Sequence, residues 1–312
     1  HLSNASNTSG TYVGRTHGIY ITGGTGNNSE VLRNTVKNLS IASGNDNFDT
    51  NLSLGGIVLA GIGTQRTVSD NTVFNLTQNS TGATIAAAIF FEGSTTVKNY
   101  VERHFIYNIT ANGGSAHAGG IEHNLGTTVY AHNIVYLNNT GSARMIGFAD
   151  YGNSGSNSEL YFNTIHITGS STAQSFAFFA YTLGNNKILK NNIFSNTRAN
   201  GGHFAFYSQI NAPLNVTSDY NNYYVAGTGG VLAGAGSTTY TLSTFRTKTG
   251  GDANSISQQP RFTSENPVAT TDFRISASKL PGVAIDGMTT DFGGNARMTN
   301  PNMGAWEFNG NN

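Results

Sequence analysis

Glu92 and Glu122 are the residues of this chain whose type and spacing could do chemistry. They sit in two short β-rich runs, AIFFEG (Ala88 to Gly93) and GIEHN (Gly120 to Asn124). If those runs are neighbouring strands, the two carboxylates lie one strand and two residues apart. At ~4.8 Å between strands and ~3.3 Å per residue, their Cβ atoms are on the order of 8 Å apart. That is near the separation of an inverting glycosidase pair, in which one carboxyl protonates the leaving oxygen and the other activates water. A polysaccharide lyase instead needs a base to take a proton and a cation to neutralise a uronate. Arg103, Arg144, His117 and Lys98 are near in sequence, but no motif places them together. No nucleophile triad, phosphate loop or zinc spacing is present.

The elements that would position these residues are repeats. One series is built on Asp70-Asn71-Thr72-Val73-Phe74-Asn75-Leu76-Thr77. Its aligned first positions are Asn34, Asn71, His104, Asn133, Asn163, Asn192 and Asn222, at spacings of 37, 33, 29, 30, 29 and 30 residues. A second series runs half a period ahead, from GIYIT (Gly18 to Thr22) and GIVLAG (Gly56 to Gly61) to FAFFAY (Phe176 to Tyr181) and HFAFYS (His203 to Ser208). β-Branched and aromatic residues fill the runs, and Gly, Ser, Asn and Thr fill the gaps. No apolar set recurs at helical spacing. Three short strands and three turns fit a period near 30, which is one coil of a parallel β-helix. The spacing predicts an all-β, right-handed parallel β-helix of about eight coils, roughly 40 Å long at ~4.8 Å per coil.

Stacked Asn side chains can hydrogen-bond along such a column, and a second one, Asn38, Asn75, Asn108 and Asn196, follows four residues later. The Asn–x–Ser/Thr triplets are therefore read as a turn ladder rather than as glycosylation sites. Strand alternation then assigns faces. In the Asn run, Val36, Val73, Ile106, Val135, Ile165, Phe194 and Tyr224 face in, and Lys37, Phe74, Tyr107, Tyr136, His166, Ser195 and Val225 face out. In the Gly run, Ile57, Ile89, Ile121, Ile146, Phe178 and His123 are among the inward set. The outward set includes Tyr20, Val58, Phe90, Glu92, Glu122, Asn124, Phe179, Tyr181 and Tyr207. The outward aromatics Phe74, Tyr107, Tyr136, His166, Phe90, Phe179, Tyr181 and Tyr207 would form a stacking rail for sugar rings or a protein contact, unless a loop covers them. His123 reads as a hydrogen-bonded core histidine.

Composition narrows the classes. Charged residues are 10% of the 312, balanced 16 to 16, so there is no basic footprint for nucleic acid. Cysteine is absent, which removes disulfide and thiolate chemistry. No apolar run is long enough to span a membrane. The insertion SGNDNFDTNLSL (Ser43 to Leu54) places Asp46 and Asp49 among Asn residues. A Ca²⁺ loop uses such oxygens, but no closing Glu follows, and a polar turn is the simpler reading. The chain starts at His1 and reads as a mature or excised fragment. The repeat begins almost at once while a cap follows it only at the C-terminus, so the N-terminal end, with its exposed strand edges, is the expected junction to a preceding domain or another chain.

Residues 240–312 change character and read as a cap on the coils of residues 1–239. The order is SDYNNYY (Ser218 to Tyr224), TLSTFRTKTGGDANSISQQPRF (Thr241 to Phe262), TDFRISASKLPGVAIDG (Thr271 to Gly287), TDFGGNAR (Thr290 to Arg297) and NMGAWEF (Asn302 to Phe308). This order resembles the C-terminal end of secreted bacterial right-handed parallel β-helix proteins of the pectate-lyase-like superfamily. It departs from them at LPGVAIDG and at Asn302-Met303. The resemblance implies a secreted or cell-surface location, often beside an anchoring domain. Asp286, Asp291, Arg297 and Glu307 would form an ion-paired closing layer over the exposed strand edges of the last coil, together with a helix near Leu242 to Thr249.

Two functions follow. One is a non-catalytic stalk or adhesin that binds a polysaccharide or a surface protein along an aromatic flank. The other is a polysaccharide lyase or glycoside hydrolase working through Glu92 and Glu122. β-Helices host both. Scarce charge and an even run of repeats favour binding, with no cofactor needed.

Overall fold

The computed structural model describes residues 14–23, 28–42, 52–114, 116–139, 141–153, 155–181, 185–211, 214–264, 267–275 and 280–308. Asp46, Asp49 and the first thirteen residues lie outside this set.

The chain winds through three sheets in rotation. The first two coils are β1 (Thr16–Thr22), β2 (Ser29–Leu32), β3 (Thr35–Ile41), then β4 (Leu54–Ala60), β5 (Arg66–Ser69), β6 (Thr72–Gln78). The next two are β7 (Ile85–Glu92), β8 (Lys98–Glu102), β9 (Phe105–Ala111), then β10 (His117–Leu125), β11 (Thr127–Ala131), β12 (Ile134–Asn138). They are followed by β13 (Arg144–Asp150), β14 (Asn157–Tyr161), β15 (Thr164–Thr168), then β16 (Ser175–Ala180), β17 (Asn186–Lys190), β18 (Ile193–Asn196). The last full coil is β19 (His203–Ser208), β20 (Val216–Asp219), β21 (Asn222–Val225), after which come β22 (Gly230–Ala235) and β23 (Thr238–Tyr240). The second and third sheets each hold seven strands, and the first holds nine because β22 and β23 extend it. Every pairing between named strands is parallel except β22 with β23. The fold is an all-β parallel β-helix.

Like residues stack on like because the register repeats with each coil. Val73, Ile106, Val135, Ile165 and Phe194 pair in succession across the third sheet. All are at most 1% exposed, so this column is interior. Phe148, Phe178 and Phe206 stack opposite it at 5.8 and 5.2 Å between ring centroids. Burying each such side chain contributes about 1.5–3 kcal/mol.

Asparagine closes the corner between the second and third sheets. The residue before each ladder position is left-handed, whatever its type: Arg33, Asp70, Arg103, His132, Phe162, Asn191 and Tyr220 have φ between 53° and 61°. Such a conformation costs non-glycine residues of order 1 kcal/mol each. The ladder offsets that cost. Each Oδ1 accepts the backbone N–H of the ladder residue one coil back, as in Asn163 to Asn133 and Asn192 to Asn163, both 3.0 Å. Each Nδ2 donates to a carbonyl, as in Asn192 to Leu160 at 2.9 Å. The ladder residue of the last coil is Asn221, not Asn222, since Asn221 Oδ1 accepts from Asn192 N at 3.0 Å. The interior column therefore continues into Tyr223, which is buried, and not into Tyr224.

The second asparagine column splits. Asn38, Asn75 and Asn108 are left-handed and bond outside the coil, Asn75 to Asn38 at 3.0 Å and Asn108 to Asn75 at 2.6 Å. Direct pairing of β9 with β12 stops one residue before Asn108, at Tyr107 and Tyr136. Asn196 is fully buried instead and bonds Ser175 and the Phe204 carbonyl.

The C-terminal region does two jobs. Helix α1 (Leu242–Thr249) is started by the Thr241 side chain and ended by left-handed Gly250. It places Phe245 4.8 Å from Phe206 and 5.6 Å from Tyr223, closing the interior. The rest folds back along the side of the stack as a strap over the third sheet. Gly304 N donates to the Asn191 carbonyl at 2.7 Å, and Ala305 N to Thr164 Oγ1 at 2.9 Å. Phe273 and Trp306 pack with Phe105, Ile134 and Tyr136. The ion pair expected over the end of the stack is therefore on its flank. Arg297 meets Glu307 at 3.2 Å and lies 3.7 Å above the Phe162 ring. Asp291 accepts from the backbone N–H groups of Gly293, Asn295 and Glu307, while Asp286 is exposed. Burial holds Arg297 down to about 10 and pushes Glu307 up, so desolvation opposes this pair.

Candidate functional site

The aromatic residues singled out in the sequence divide between two faces. On the third sheet, Phe74 and Tyr107 stack at 4.7 Å and stay half-buried. Tyr136 and His166 are covered by the strap, through Phe273 at 5.7 Å and Phe262 at 5.1 Å. Burial lowers His166 to about 4. A cleft of about 530 Å³ remains beside it, lined by His166, Ser195, Tyr224, Arg261 and Phe262 among others.

The first sheet carries the rest. Phe90 is 1% exposed and packs under Leu52, Val58 and Ile85, so it offers no free face. Further along, the outer side of the sheet is aromatic. Ile146, Ala149, Phe176, Phe179 and Phe204 form one cluster, joined by Tyr151 and Tyr207. Ile146 thus points outward, contrary to strict alternation. The alternation slips because two neighbouring residues, such as Ala177 and Phe178, both face the core, which leaves Phe176 and Phe179, three apart, on the outside. Phe179 and Tyr207 stack at 6.0 Å with nearly parallel planes, and Tyr181 stands 52% exposed at the edge.

A cavity of about 410 Å³ opens against this cluster. Ile146, Tyr151, Phe176, Phe179 and Tyr181 line it together with His117, Asn124, Arg144, Asn153 and Gln209. The register explains the meeting of its polar groups. β10 pairs with β13 so that His117 is opposite Arg144. Glu122 is 1% exposed and bonds His117 Nε2 at 2.7 Å. Gly119 makes this possible, since a Cβ there would stand 2.4 Å from Glu122 Oε1. Burial and the nearby Glu122 push the Tyr151 phenol well above its ordinary range, so it stays a hydrogen-bond donor at neutral pH.

Glu92 and Glu122 fall on adjacent strands as the spacing implied, with Glu122 paired to Phe90 two residues before Glu92. Their surroundings differ. Glu92 Oε1 accepts from Asn124 Nδ2 at 2.7 Å, and its other oxygen accepts from Gly61 N. Glu92 thus holds Asn124, which lines the cavity, while Glu122 holds His117. His123 is fully buried, with Nδ1 2.8 Å from Tyr130 Oη, in keeping with a core histidine. Lys98 and Arg103 turn away on the second sheet side, pairing with Glu159 and Asp70 at 2.9 and 2.8 Å.

Sequence reasoning missed Tyr151, Asn153, Phe176, Phe204 and Gln209 and left Arg144 unplaced. Glu122 is buried, and the cation Arg144 stands on the neighbouring coil. Among the described residues, no group of three or more His, Asp or Glu could hold a metal ion.

No family model, curated protein or solved structure matches this chain.

Proposed function

We propose that this β-helix binds a saccharide chain in the cavity on its first sheet, favouring one that carries negative charge. The observation that carries the reading is that Phe176, Phe179 and Tyr181 share the lining of one cavity with His117, Asn124 and Arg144. Aromatic faces take up the apolar faces of sugar rings, and a few convergent polar groups set orientation. Exposed Arg144 supplies a partner for a carboxylate or sulfate. A stalk or adhesin of a secreted or bacterial cell-surface protein is the setting that this reading fits.

Cleavage is a second reading, favoured by the 2.7 Å His117–Glu122 contact with Arg144 one strand away. A carboxylate that orients an imidazole is the arrangement of a general base, and a cation beside it would neutralise a uronate. The same assay separates the two. Polygalacturonate, alginate, xylan and cellulose oligosaccharides are titrated into the protein and then incubated with it. The binding reading predicts saturable association with an acidic member of the panel, no new reducing ends and no unsaturated-uronate absorbance. Turnover that disappears in Glu122→Gln or Glu92→Gln would replace it with the enzymatic reading. No association with any member would remove both.

A further inference from the structure

The corner between the first and second sheets, two coils long, holds a buried lysine, asparagine and aspartate that no binding role uses. Lys187 and Asp150 are fully buried and Asn185 is 3% exposed. Lys187 Nζ stands 2.5 Å from Asn185 Oδ1 and 3.3 Å from the Asn185 backbone carbonyl. On the other side of the same carboxamide, Asn185 Nδ2 donates to Asp150, 3.0 Å to Oδ1 and 3.1 Å to Oδ2. Asp150 is itself fixed by the Ser158 hydroxyl at 2.5 Å and the Gly152 N–H at 2.9 Å. The amide is therefore held between an amine and a carboxylate, out of water.

We propose that Lys187 and Asn185 are joined by an intramolecular isopeptide bond that the folded chain forms without another catalyst. With Nζ 2.5 Å from Oδ1 the amine nitrogen is roughly 3–3.5 Å from the carbonyl carbon, and attack needs it to swing from the amide plane to the amide face. Attack needs the neutral amine. Burial lowers the Lys187 pKa, against the pull of Asp150, which enlarges the neutral fraction. In the step, Nζ bonds to Cγ and the carbonyl π pair moves to Oδ1. One proton of the attacking nitrogen moves to Nδ2, which Asp150 holds in place through its two hydrogen bonds. The Cγ–Nδ2 bond breaks, ammonia leaves, the carbonyl reforms, and Asp150 ends as it began. The products are one secondary amide and one ammonia, with no oxidant or cofactor required.

Nearby residues keep the cluster dry and uncrowded. A Cβ at Gly152 would stand 2.9 Å from Asn185 Nδ2, 2.9 Å from His123 Nε2 and 3.0 Å from Asp150 Oδ1. Glycine at that position leaves the amide room to become tetrahedral. Lys187 pairs in register with Ser158, which ties the reacting strand to the one that orients Asp150. Cross-linking side chains two residues apart would lock the start of β17 where the chain turns into the second sheet.

The test is the intact mass of the full chain after folding, followed by tryptic mapping. The proposal predicts a loss of about 17 Da, one ammonia, and no cleavage after Lys187. Chain kept in denaturant from synthesis should retain its full mass and lose the ammonia on refolding. Lys187→Met and Asp150→Asn should each keep the full mass of their own sequences. A succinimide at Asn185 would lose the same mass but leave Lys187 open to trypsin, and that result overturns the proposal. So does a folded wild-type chain of full mass after prolonged incubation, which needs no variant to fold.

Discussion

His104 stands in the asparagine ladder as a neutral imidazole, with Nδ1 accepting the Asn71 backbone N–H at 3.1 Å. A backbone N–H can only donate, so Nδ1 carries no proton. The proton is on Nε2, which donates to the Val68 carbonyl at 3.0 Å. The ring thus supplies the acceptor and donor that Asn supplies on the other coils. Protonation would remove the acceptor. Burial lowers His104 to about 4 from an ordinary 6.5.

The sign of the pH effect follows from this shift. Below 6.5 the unfolded chain binds a proton that the folded chain refuses until about 4. Stability is therefore full above the unfolded value and falls as pH drops through that window. His104→Asn restores the ladder residue and removes this proton linkage. The variant should gain about 2 kcal/mol relative to wild type between about pH 7 and pH 5, measured as the change in denaturant midpoint. An unchanged pH slope would show that His104 is not the group that couples.

Ile106→Asp tests the interior column. Ile106 is fully buried between Val73 and Val135. An ionised carboxylate there has no partner, and the cost is about 4 kcal/mol or more. The expected outcome is loss of cooperative melting or failure to fold. A soluble variant with wild-type melting would place the column outside the core.

The strap can be tested through Gly304. It has φ of 89°, and a Cβ there would stand 2.6 Å from Ile193 Cδ1 and 2.8 Å from Thr164 Oγ1. Gly304→Ala should cost about 2 kcal/mol or more by adding backbone strain to a clash. Trp306, the only tryptophan in the chain, is 6% exposed on the strap and reports on it directly. Its emission should shift to the red in the variant as Tyr136 and Phe105 are uncovered. Wild-type emission with unchanged stability would contradict the packing described.

The coil was legible in the sequence because a solenoid repeats its chemistry once per turn, so that Val73, Ile106 and Val135 could be aligned from spacing alone. The Asn221-Asn222 doublet offered two frames, and only the bond from Asn192 decides between them. The site was less legible. His117 and Arg144 belong to separate runs, and it is the strand register that sets one against the other. Burial of Glu122 depends on Gly119, which looks like a turn residue in the sequence. Covering of Tyr136 and His166 comes from residues more than ninety positions later, a contact that no local pattern encodes.

The central claim is that the cavity beside Tyr181 is where saccharide binds. Calorimetric titration of wild type and Tyr181→Ala with the acidic oligosaccharide that binds best tests it most directly. Tyr181 is half-exposed, so the variant should melt as wild type does. The account predicts one saturable site in wild type and affinity about tenfold weaker in Tyr181→Ala, a difference of about 1.4 kcal/mol. Equal affinity in Tyr181→Ala, with the loss appearing instead in Phe74→Ala on the third sheet, would contradict it.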